Sequence, residues 1–166
     1  MGTDASGSYT LATNLFGNNE SYYRSFTASS DGSATSLYFY LGDPWSASNI
    51  KLMIWNSSGT LLAATGAIAI SAAGWVSGAI SSTSITASQT YYLGFVADSG
   101  YVVPYHDGTT WQVGIDTGST YATPATLADT AEDELGYGKF AMYADGTTGG
   151  GSIVPQAMAN YRMRAA

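Results

Sequence analysis

SATSLYFYL, residues 33–41, alternates Leu37, Phe39 and Leu41 with Tyr38 and Tyr40. A period of two is the signature of a β-strand, because successive side chains leave the backbone on opposite faces. The aliphatic set and Phe39 therefore belong to a buried face and the two tyrosines to the other. DPWSASN, residues 43–49, turns the chain, and IKLMIWN, residues 50–56, repeats the pattern: Ile50, Leu52 and Ile54 share one face, Lys51, Met53 and Trp55 the other. This second run ends at Asn56-Ser57-Ser58-Gly59, a strong hairpin signal. A strand that runs into such a turn predicts a hairpin with the strand that follows it.

Outward from this pair, short aromatic and β-branched runs recur between clusters of Gly, Asn, Asp and Ser. LLAATGAIAI, GWVSGAI, TYYLGFVA, YVVPYH and KFAMYA each read as a strand. Their spacing, about 8 to 12 residues per strand plus turn, is that of a sandwich. The expectation is an all-β jelly-roll β-sandwich of about nine antiparallel strands. The main interruption is TPATLADTAEDELG, residues 123–136, which fits either one helical turn starting at Pro124 or a long loop. After Tyr143 the composition shifts to ADGTTGGGS, so the sandwich is expected over residues 1–144 and a Gly/Ser linker over 145–152. The remainder, IVPQAMANYRMRAA, residues 153–166, is too short to be a stable helix alone. It reads either as a frayed terminus or as a docking tail. Ile153, Val154, Met158 and Tyr161, with the cations Arg162 and Arg164, favour the tail, since a solvated end has no need of those apolar side chains.

Only 10% of the residues are charged, so the surface is polar but nearly neutral. Such a surface suits targets read by ring stacking and neutral hydrogen bonds, such as sugars, or packing within an assembly. The net charge is −7 and the five cations are scattered, which leaves no basic stripe for a phosphate backbone and argues against nucleic acid. No run approaches the ~18 apolar residues of a membrane-spanning helix, so no membrane insertion is expected. The absence of cysteine excludes disulfides and thiolate metal sites. MGTDASGSYT has neither the basic nor the apolar region of an export signal.

Residues 33–97, taken in order, resemble a jelly-roll module of the carbohydrate-binding type, found in bacterial surface proteins, polysaccharide-active enzymes and phage virion proteins. The matching pieces are SLYFYLG, IKLMIWNSSGTLLAATGAIAIS, AAGWVSGAI and SITASQTYYLGFVADSG, with FAMYA in the place of the closing strand. Ser88-Gln89 stands where Ala-Gly usually precedes Thr-Tyr-Tyr, a departure that affects a turn. The resemblance implies glycan binding or host-surface attachment, and it implies that Trp75 packs in the core.

Catalytic constellations are hard to assemble. His106 is the only histidine, and its neighbour Asp107 would point to the opposite face of a strand; no G-x-S-x-G elbow is present. Asp98, Asp107 and Asp116 are spread over separate segments, and Glu132, Asp133 and Glu134 form one acidic run, so nothing pairs two carboxylates across a cleft. These acids read as turn caps. Oxygen ligands leave room for a structural Ca²⁺, although the D-x-[DN]-x-[DN]-G spacing is absent. The rings say more. Trp45, Tyr105, Trp111 and Tyr121 fall in segments rich in Gly, Asp, Ser and Thr and read as loop rings, suited to stacking on sugars with Asp107 nearby. Burial in a second small cluster, or use as anchors in an interface, accounts for them equally well.

The expected function is a non-enzymatic phage virion protein, a capsid decoration or host-attachment module that contacts glycans. Its partners would be other virion subunits, further copies of itself and a host surface glycan. The alternative is an extracellular carbohydrate-binding module of a secreted bacterial enzyme or adhesin.

Overall fold

The computed structural model describes residues 10–11, 20–44, 46–100, 102–106, 111–131, 134–137 and 142–148. Among them run β1 (Thr10–Leu11), β2 (Ser21–Thr27), β3 (Gly32–Asp43), β4 (Asn49–Asn56), β5 (Leu61–Ala64) and β6 (Ile68–Ala69). They are followed by β7 (Gly74–Ile85), β8 (Thr90–Ala97), β9 (Val103–His106), β10 (Trp111–Asp116), β11 (Glu134–Tyr137) and β12 (Met142–Thr148). Every pairing is antiparallel.

Two sheets form. In the five-stranded sheet β3 is central: β7 takes one edge over Gly32–Leu41, while β12 and β9 divide the other, with β1 beyond β9. The seven-stranded sheet runs β11-β10-β2-β8-β4-β5, with β6 also on β4. The chain changes sheet at most connections, and the two sheets enclose one core as a β-sandwich.

The interior follows the period-two reading. Leu37, Phe39 and Leu41 from β3 meet Ile50, Leu52 and Ile54 from β4 and Leu93 and Phe95 from β8, all buried in one cluster. Phe39 and Phe95 stack across the two sheets with ring centroids at 4.6 Å. The turn after β4 closes as its sequence predicts: Asn56 Oδ1 accepts from the backbone N–H of Ser58 and of Thr60, and Gly59 takes φ 79°, which glycine adopts without strain.

Three expectations needed adjustment. LLAATGAIAI is not one strand: Thr65 Oγ1 accepts from the Leu52 N–H and donates to the Gly66 carbonyl, which breaks the run into β5 and β6. Residues 123–136 hold no helical turn among the described residues; 117–131 is loop, and β11 begins at Glu134. The closing strand continues to Thr148, opposite Gly32, and so takes in the first residues of the segment read as a linker.

The largest departure concerns the other face of β4. Met53 and Trp55 point away from the sandwich interior, yet both are fully buried, in a second cluster with Tyr23, Tyr92, Val96 and Leu127. Loop 117–131 covers them. Trp55 Nε1 donates to the Ala125 carbonyl at 2.8 Å, and the Tyr23 hydroxyl reaches the carbonyls of Asp129 and Ala131. Gly94 of β8 leaves the room for this layer: a Cβ there would lie 2.9 Å from both the Trp55 ring and Tyr23 Cβ. The seven-stranded sheet is thus buried on both faces in its middle, leaving the outer face of the five-stranded sheet as the place to look for a site.

Candidate functional site: an aromatic face on the five-stranded sheet

Because Leu37, Phe39 and Leu41 fill the interior, Tyr38 and Tyr40 must point outward from β3. Register then decides their neighbours. Tyr143 of β12 lies opposite Tyr38, and Trp75 of β7 lies opposite Tyr40. The four rings touch in a chain: Tyr38 and Tyr143 stack at 4.4 Å with 4° between their planes, Trp75 meets Tyr143 edge-on at 5.3 Å, and Tyr40 meets Trp75 edge-on at 5.1 Å. Both arrangements are ones in which the ring quadrupoles attract. Tyr143 is buried beneath this group, while Tyr38, Tyr40 and Trp75 are half-buried. Around them on the same face stand Ser36, Ser77 and Asp145, from the register positions next to Tyr38 and Tyr143. Rigid, half-exposed rings bordered by hydroxyls and a carboxylate can stack on the C–H face of a sugar ring while the polar groups meet its hydroxyls.

This corrects the reading of Trp75 as a core residue. Its neighbour Val76 packs against the inter-sheet core, so alternation turns Trp75 to the outer face. The sequence did place Tyr38 and Tyr40 outward; the signal overlooked was that an ordinary solvated strand face has no need of two adjacent aromatic rings.

The residues first singled out are dispersed. Tyr105 and Trp111 are not in loops: Tyr105 lies in β9 opposite Leu11, and Trp111 in β10 opposite Tyr137. Their ladder partners come from segments distant in sequence, which local composition does not reveal. Trp45 and Asp107, like the tail residues Ile153, Val154, Met158, Tyr161, Arg162 and Arg164, lie outside the described residues. Tyr121 sits in the covering loop and packs against the second cluster. The Lys51 ammonium stands 4.6 Å from its ring centre and donates to its carbonyl at 2.7 Å. Burial, with a smaller contribution from the negative charge of Asp98, raises the Tyr121 phenol above its ordinary pKa. Tyr121 is therefore an element of the second cluster, not part of the aromatic face.

The acidic residues tie loops. Asp98 accepts from the backbone N–H groups of Ser48 and Asn49 and from the Asn49 amide at 2.7 Å. Partial burial acts to raise its carboxyl, but these bonds and one from Ser99 outweigh it and hold the pKa below the usual carboxylate value. Asp116 is buried and accepts from the N–H groups of Gly118 and Ala128, fixing both ends of the covering loop. Among the described residues, no three acidic or histidine side chains gather where they could hold a metal ion.

No curated protein matches the chain. A family model described as a domain of unknown function, DUF4082, matches residues 24–148, from within β2 to the end of β12, and the chain belongs to that family.

Proposed function

We propose that this domain is a non-enzymatic binding module that contacts neutral glycans through the outer face of its five-stranded sheet. The observation that carries this reading is the cluster of Tyr38, Tyr40, Trp75 and Tyr143, held in register by three strands. Sheet strands position rings more rigidly than loops do, so stacking on a pyranose requires little reordering of the protein. The low charge of the chain fits a ligand recognised by C–H stacking and hydroxyl contacts. Within this reading a phage particle is the setting the sequence favours, with the domain as capsid decoration or host-attachment module and the tail at 153–166 as its docking arm. The alternative carrier is a secreted bacterial enzyme or adhesin, and a leader peptide in the complete gene would favour it.

The test is a glycan array followed by titration of the best ligand. Trp75→Ala should weaken binding at least tenfold, the loss of about 1.4 kcal/mol, with circular dichroism unchanged. Binding equal to that of the wild type in Trp75→Ala and in Tyr38→Ala would remove this face as the site.

A further inference from the structure

Strand β7 has an edge that no strand among the described residues occupies, since its only partner is β3. Exposed edges invite pairing with another chain, and proteins usually blunt them with charges, prolines or short length. The other edges that no strand among the described residues occupies follow that pattern: β12 carries Asp145, β11 begins at Glu134, and β1, β5 and β6 have two, four and two residues. β7 has 12 residues, GWVSGAISSTSI, with no charge and no proline. Its one irregularity is a bulge, where residues 80–82 oppose Thr35 alone, so the regular run is Gly74–Ala79.

That run is self-complementary when reversed. Trp75, Ser77 and Ala79 belong to the outer face; Val76 and Gly78 belong to the inner face, where Val76 packs on the core and a Cβ on Gly78 would press on Thr65. A two-fold axis at Ser77 would set each Trp75 beside Ala79 of the second copy, each Val76 beside Gly78 of the second copy, and Ser77 beside its equivalent. Every large side chain then meets a small one, and no charge is brought to the seam although the chain carries −7 overall.

We propose that a second copy of this chain adds antiparallel to β7 over Gly74–Ala79, on a two-fold axis at Ser77, and joins two five-stranded sheets into one. The axis of such a pair stands perpendicular to the sheet, so both outer faces lie on the same side. The two Trp75 positions come within about 13 Å along the strand direction, at a rise of about 3.3 Å per residue. If the aromatic face binds glycans, as proposed above, the pair presents one composite surface that engages a polymer or a glycan-coated surface at two points. A six-residue seam is small beside the ~1,600 Å² of a standard interface, so association belongs to high concentration.

The chain has no cysteine, so a single introduced thiol reports this seam alone. Directly opposed residues in an antiparallel pair have Cα atoms about 4.5–5.5 Å apart, within disulfide range. In the full chain, Ser77→Cys should form a linked dimer about tenfold or more faster than Ser84→Cys, whose equivalents would lie far apart along the strands. Light scattering of the wild type should show the mass rising toward double with concentration. Ala79→Arg, which places a charge beside Trp75 of the second copy, should stay at monomer mass with an unchanged circular dichroism spectrum. Wild-type protein that remains monomeric up to millimolar concentration overturns the proposal, as do equal linking rates for the two cysteine variants. Association that survives Ala79→Arg does so too, and points to the tail instead. Binding of a soluble oligosaccharide by monomeric Ala79→Arg separates the fate of the seam from that of the glycan site.

Discussion

Tyr38 and Tyr143 stand directly opposite each other on β3 and β12, their rings parallel within 4° and 4.4 Å apart. The pair fastens the closing strand of the sandwich to its central strand on the face that also carries Trp75. The two residues should therefore be energetically coupled. Tyr143→Ala is expected to cost about 3 kcal/mol, the range for emptying a buried aromatic site, and Tyr38→Ala less. A double-mutant cycle read by urea denaturation should return a coupling of about 0.5–1.5 kcal/mol; strict additivity would show that the stacking contributes nothing beyond burial.

Trp55 tests the second layer. Its indole N–H is satisfied by the Ala125 carbonyl, and its ring lies between β4 and the covering loop. Trp55→Phe should destabilise by about 1–3 kcal/mol through the unpaired carbonyl and the lost volume. Hydrogen exchange should accelerate first in residues 117–131; uniform acceleration across the sandwich would mean that the loop is not a separable layer.

Tyr121 and Trp75 should behave oppositely. Tyr121→Ala removes a ring from beneath the Lys51 ammonium and is expected to lower stability by about 1 kcal/mol or more. Glycan binding should be untouched, because Tyr121 packs with the second cluster and not with Tyr38, Tyr40 and Trp75. Loss of binding in Tyr121→Ala with intact binding in Trp75→Ala would transfer the site to the loop.

Acid should reveal Asp98. Its folded pKa lies below the unfolded value of about 3.9, so the unfolded chain binds the proton more readily. The stability it supplies is therefore complete above that range and fades as the pH falls through the folded value. In Asp98→Asn the decline of stability below about pH 4 should be shallower than in the wild type. Parallel curves from neutral to strongly acid pH would rule out Asp98 as a contributor to acid unfolding.

Much of the fold was legible because alternation is a local property. Leu37, Phe39 and Leu41 announced one buried face, Ile50, Leu52 and Ile54 another, and Asn56 to Gly59 the turn, all within a few residues. The aromatic face was half legible. Tyr38 and Tyr40 pointed outward in the sequence itself, but their neighbours Trp75 and Tyr143 come from strands beginning about forty and one hundred residues later. Nothing local sets that register. Trp75 was misplaced because the resemblance assigned it to the core, whereas its neighbour Val76 occupies the interior and turns it outward.

The sequence by itself determined which side of β3 and of β4 faces the sandwich interior, because a strand has only two faces and the aliphatic set marks one of them. Tertiary structure alone decided what happens on the opposite sides. It covered Met53 and Trp55 with a loop anchored by Asp116 and left Tyr38, Tyr40 and Trp75 half open to solvent. That choice depends on where distant segments pack, and the period of a single strand carries no record of it.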